Sequence, residues 1–150
     1  MKAAAFALAL TVPATQVATQ AAAQDVFDCD WQAQARNIPE PWETHSRSFS
    51  NGQTRLALLD TIEPAAGAFW LLILSPPFSE LGDRQCRVVG HNGMGFSGLE
   101  FARLEAGYDP ARGLTFTLPG QIPDSSGFVP VTVSVTLSQA TGAITKEVWR

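Results

Sequence analysis

His91 stands in the glycine-rich stretch Gly90-His91-Asn92-Gly93, with Ser97 a short distance downstream. Imidazole is the usual side chain for acid–base work near neutral pH, and a serine hydroxyl beside one is a potential nucleophile. Loops held by a rigid scaffold commonly carry sites. His91 and Ser97 are therefore the catalytic candidates, and with several carboxylates in the chain they would make a small envelope hydrolase. The local pattern is incomplete. Gly95-Phe96-Ser97-Gly98 is one residue short of the G-x-S-x-G elbow, and that elbow belongs to an α/β sheet. A solvated loop histidine is the plainer reading of His91. The second histidine, His45, does not join it in H-E-x-x-H or a similar metal spacing.

The same stretch, Gly93-Met94-Gly95-Phe96-Ser97-Gly98, matches G-x-G-x-x-G, the pattern in which glycines bring a pyrophosphate onto a helix N-terminus. No βαβ repeat comes after it, and no acidic residue closes a next strand to hold a ribose. A glycine-rich loop between strands explains the match, and no cofactor is expected. Asp25, Asp28 and Asp30 crowd one segment and could offer hard oxygens to calcium. Gln32 and Ala33 break the EF-hand pattern at once, so these residues read as solvated charge on a loosely held terminus, and no metal is expected. In Glu40-Pro41-Trp42-Glu43 a proline can hold Trp42 on a surface loop, where a flat ring stacks on a sugar or a partner. Packing into the core is the default for such a ring. Trp42 and His91 are the binding candidates.

The two cysteines, Cys29 and Cys86, lack the close C-x-x-C spacing of a redox or metal pair. With an export signal they are expected to form a disulfide. That signal is read from Lys2, the apolar run 3–12 and the small residues Ala21-Ala22-Ala23, with cleavage expected after Ala23. The apolar run is about half of what a membrane-crossing helix needs. No transmembrane segment is expected in the mature chain, 24–150, which is read as one domain that is periplasmic or secreted. The style of the signal is bacterial.

The elements that must position these residues are strands. Over 131–137, Val131, Val133, Val135 and Leu137 alternate with Thr132, Ser134 and Thr136, which predicts a strand with one buried face. A turn at 139–142 lets 143–149 return as its partner. Alternation over 114–118 predicts another strand, stopped by Pro119. Asn51-Gly52 predicts a two-residue type I′ turn joining 46–50 to 53–61. The continuous apolar run 68–74 predicts a strand covered on both faces, and 86–89 a further short strand. Residues 99–108 fit a strand pairing with 114–118, although Ser97-Gly98-Leu99-Glu100 also fits a capping box for a short helix over 99–106. Residues 31–36 are too short to decide.

Seven or eight short strands with frequent turns predict an all-β, mainly antiparallel sandwich or small barrel. Its net charge of −4, or −5 without Lys2, has no basic stripe, which excludes nucleic acid as a partner. The strands are too short and too broken by prolines for an outer-membrane barrel. The expectation is an exported, non-catalytic binding module for an envelope protein, a glycan or a small apolar ligand. A small hydrolase using His91, or a structural envelope component pairing through a sheet edge, are the alternatives.

Overall fold

The computed structural model describes residues 25–150, so the expected signal segment, 1–23, lies outside the described residues. Ten strands succeed one another: β1 (Val26–Asp28), β2 (Ser46–Phe49), β3 (Thr54–Asp60), β4 (Phe69–Phe78), β5 (Arg84–Val89), β6 (Gly98–Leu99), β7 (Glu105–Asp109), β8 (Gly113–Asp124), β9 (Gly127–Leu137) and β10 (Ile144–Trp149). They form two antiparallel sheets, one in the order β1-β5-β4-β3-β2 and one in the order β10-β9-β8. The far edge of β8 is shared, β7 covering one half and β6 the other. The helical pieces are single 3-10 turns at Trp31–Ala33, Ala35–Asn37, Ala65–Gly67 and Phe101–Arg103.

Period-two alternation sends one side of each sheet into a shared core. Leu56, Leu58, Leu71, Ile73 and Val89 from the first sheet belong to one apolar cluster with Leu114, Phe116, Leu118, Val131, Val133, Val135 and Leu137 from the second. This is the packing of a β-sandwich. Each such side chain contributes about 1.5–3 kcal/mol by leaving water. Phe96 and Phe101, from the segments around β6, are buried in the same cluster.

The first sheet has a second core on its other face. Ala57, Leu59, Trp70, Leu72 and Val88 are buried there under Phe27, Cys29, Ala33 and Ile38. The continuous apolar run of β4 therefore feeds both faces, Leu71 and Ile73 inward and Trp70 and Leu72 outward. The covering segment is fastened by the Cys29–Cys86 disulfide, as the cysteine arithmetic predicts. Its start is strand β1, paired with β5, and not a loosely held terminus.

Three local expectations are corrected. Pro119 does not stop its strand, because β8 runs through it to Asp124, opposite Thr132. Residues 99–106 are neither one strand nor a helix: β6 ends at Leu99, a 3-10 turn comes next, and only β7 pairs with 113–117. Asn51-Gly52 does not make a two-residue turn. Phe49 pairs with Thr54, and Ser50, Asn51 and Gly52 are all left-handed, with φ of 50°, 53° and 82°. The two-residue turn with paired positive φ is instead Asn92-Gly93, at 51° and 84°, between the bridged residues His91 and Met94.

Candidate functional site

The Asn92-Gly93 turn carries His91 to the edge of the sandwich, where its ring stacks 6.0 Å from the buried Phe96 ring. Lys146 reaches the same place from β10. Period two puts Lys146 on the inward face between Ile144 and Val148, and its side chain is only 4% exposed. Its ammonium lies 2.9 Å from Asp25 Oδ2, 2.9 Å from His91 Nδ1 and 5.8 Å from the centre of the Phe96 ring. Asp25 Oδ1 accepts the Asn92 amide at 2.8 Å, so the carboxylate ties the cation to the turn.

An ammonium can only donate, so Nδ1 of His91 is the acceptor and the neutral ring carries its proton on Nε2. That nitrogen lies 3.1 Å from Asn92 Nδ2, itself a donor, so the two make a hydrogen bond only with the Asn92 amide turned to present its oxygen. Burial, and after it the Lys146 cation, hold the imidazole below its ordinary value, against an opposing pull from Asp25. The ring is neutral at pH 7, but its basic lone pair is already occupied by Lys146.

Ser97 is buried, and its hydroxyl donates to the carbonyl of Ala66 at 2.7 Å. Neither Ser97 nor His91 is the other's hydrogen-bond partner. The glycines around them answer to the backbone: a Cβ on Gly95 would meet the Gly67 carbonyl oxygen at 2.3 Å, and one on Gly90 the Met94 carbonyl oxygen at 2.1 Å. The left-handed turn at Gly93, with φ of 84°, and the close approach of main chain at Gly95 explain the G-x-G spacing here, and the next element is β6 rather than a helix. His45 Nδ1 lies 3.1 Å from the Pro41 carbonyl in its own turn.

The three aspartates do not converge. Asp25 pairs with Lys146 and Asp28 with Arg87. Among the described residues no group of three or more metal-ligating side chains comes together. Trp42 is not packed in the core but lies 54% exposed, the turn around it held by the Pro41 carbonyl, which accepts the Thr44 amide and hydroxyl.

An open sheet face lies elsewhere. While the outer face of the first sheet is roofed, the outward positions of β7 to β10 reach the surface: Glu105, Glu147 and Trp149 are exposed, and Thr115, Thr117, Pro119, Thr132 and Thr136 are half-buried. Residues in register share a face, so Pro119, Thr132 and Trp149 form one row across three strands, and Glu105, Thr117, Ser134 and Glu147 form the next. Trp149 is 46% exposed at the end of its row. Among the described residues the outward strand positions hold carboxylates at Glu105, Asp109 and Glu147, and no lysine or arginine.

A groove of about 420 Å³ opens on this face, lined by Arg103, Glu105, Thr117, Pro119 and Thr132. It exists because the 3-10 turn at Phe101–Arg103 carries the chain away from β8 between the end of β6 and the start of β7. Pro119 sits opposite that gap. Its carbonyl takes the Glu100 amide at 2.9 Å, and the amide hydrogen it lacks would have pointed the same way, so proline is tolerated mid-strand. Opposite the gap, Arg47 of β2 donates to the carbonyls of Leu104 at 2.8 Å and Ala102 at 3.2 Å, with its guanidinium 5.8 Å from the Phe101 ring.

Sequence reasoning missed Asp25 with Lys146, Arg47 and the groove. A lysine at an inward position of an alternating strand was the one signal available. Compared with protein-family models, with curated proteins and with solved structures, the chain has no significant match.

Proposed function

We propose that the chain is an exported binding module that works in an oxidising compartment outside the cytoplasm and meets its ligand on the outward face of β7 to β10. The observation that carries this reading is an asymmetry between the sheets. A segment fastened by the Cys29–Cys86 disulfide roofs one outer face with its own apolar cluster, while the other is left open, with hydroxyls, carboxylates, an exposed indole and a groove. A disulfide persists where the medium is oxidising, and the pattern of residues 1–23 is that of an export signal. His91 and Ser97 serve this reading as parts of the frame, since Nδ1 of His91 is held by Lys146 and the Ser97 hydroxyl donates to Ala66.

Two measurements test it. Native mass spectrometry of the protein isolated from the cell envelope is expected to give the mass of the oxidised chain beginning at Gln24. A photo-crosslinker placed at Thr132 is expected to capture material that the same group at Ser48, on β2, does not. The full-length reduced chain in the cytoplasm, or equal capture from both positions, would overturn the reading.

A further inference from the structure

On the footing that the outward face of β7 to β10 is the binding face, we infer that the groove at Pro119 and the Trp149 ring together form a site for an uncharged glycan chain. The row Pro119, Thr132, Trp149 crosses two strand spacings, so it runs about 10 Å from the groove to the indole. A sugar presents C–H groups on its flat faces and hydroxyls around its rim. The exposed indole supplies a flat apolar platform for the first. Thr117 and Thr132 supply hydroxyls, Glu105 an acceptor and Arg103 a donor for the second, all lining one groove. The groove volume falls in the range of small-molecule sites.

Charge and backbone chemistry narrow the occupant. Glu105 and Glu147 stand in the second row, while Arg103 of the groove and Arg150, next to Trp149 in the chain, are already paired, with Glu100 at 3.1 Å and Asp124 at 3.0 Å. Such a face repels phosphate, sulfate and uronate chains. An extended peptide adding to the open stretch of β8 would need main-chain partners there. Pro119 has no amide hydrogen, and its carbonyl is occupied by Glu100. An uncharged polymer that binds by stacking and side-chain hydrogen bonds needs neither a basic patch nor a free strand edge.

The test uses the oxidised mature protein and calorimetric titration with two neutral probes, cellohexaose and chitohexaose, and one anionic probe, hexagalacturonate. At least one neutral probe is expected to bind and the anionic one not. Trp149→Ala should weaken that binding about tenfold. Thr132→Arg, which fills the middle of the row without touching the core, should abolish it. Failure of both neutral probes, preference for hexagalacturonate, or neutral binding untouched by both variants would overturn the inference. The crosslinker at Thr132 then separates the two levels. Capture of a protein overturns the glycan while leaving the binding face standing, and absence of any capture there overturns both.

Discussion

Lys146 on β10 and Asp25 at the foot of β1 meet across the open side of the sandwich, ammonium to carboxylate at 2.9 Å. Both strands are sheet edges, β1 of the first sheet and β10 of the second. The ion pair thus closes one flank of the core, as Arg47 on β2 closes the other through the carbonyls of Ala102 and Leu104. An inward-pointing charge on an edge strand also discourages pairing with another chain.

Removing the cation should therefore cost more than a surface ion pair does. Lys146→Ala leaves Asp25 Oδ2 and His91 Nδ1 without their donor, while Oδ1 keeps the Asn92 amide and Asp25 is exposed enough to be partly rehydrated. The expected loss is about 2 kcal/mol, below that of a fully buried pair. In a cycle with Asp25→Asn, read by urea unfolding, the two losses should fall short of adding by about 1 kcal/mol. Simple additivity would mean that the pair does not act as a unit.

The His91 imidazole couples the same flank to pH. Its folded-state affinity for a proton is lowered, first by burial and then by Lys146. Below the ordinary histidine value the unfolded chain binds a proton that the folded chain resists, so stability falls with falling pH. The contribution is complete above about pH 6.5 and is lost as pH drops from there through the folded-state value. Urea midpoints taken from about pH 8 down to pH 5 should decline, and His91→Gln should flatten that part of the decline. An unchanged slope in the variant would assign the pH dependence to other groups.

The disulfide holds a roof in place, so breaking it has a local signature. Cys29→Ser with Cys86→Ser opens a loop of sequence separation 57, worth about 4 kcal/mol in the chain-entropy model. The residues it uncovers, Leu59, Trp70, Leu72 and Val88, are the second core. Reduced or doubly substituted protein should bind a hydrophobic dye and be cut by protease within 30–45 while β8 and β9 keep their amide protection. Uniform loss of protection through both sheets would show that the two cores melt together.

The legible part of the sequence was local. Period two in 131–137 needs only neighbouring residues to reveal a buried face, and the bounded apolar run of β4 shows a doubly covered strand for the same reason. The illegible part depended on distant chain. Pro119 reads as a stop until the gap between β6 and β7 is known to lie beside it. The glycines around His91 read as a phosphate motif until the Gly67 carbonyl is found against Gly95. Lys146 stands out between Ile144 and Val148, yet its partner comes from the opposite end of the described chain. Trp42 gave no sign of which side of its turn it would face, since no period runs through a proline-broken loop.

Arg47 links the frame to the groove, and its substitution separates positioning from contact. One guanidinium holds two carbonyls, those of Ala102 and Leu104, and both residues line the groove from the side opposite β8. A lysine offers one compact point charge in place of that planar fork, so Arg47→Lys should recover only part of what Arg47→Ala loses. The alanine variant is expected to lose about 1–2 kcal/mol of stability, since charge-assisted hydrogen bonds to partly exposed carbonyls fall at the lower end of their range. It should also raise amide exchange across 101–104, because the 3-10 turn there has lost its anchor. Trp149→Ala, by contrast, removes an exposed ring and should leave both stability and exchange unchanged. The two variants together give a clean contrast. If both weaken binding of the neutral hexaoses but only Arg47→Ala loosens 101–104, the groove wall is positioned by Arg47 and the ligand is touched by Trp149. If Arg47→Ala loosens the turn and leaves binding intact, the wall at 101–104 is not part of the site, and the ligand lies along the row from Thr132 to Trp149 alone.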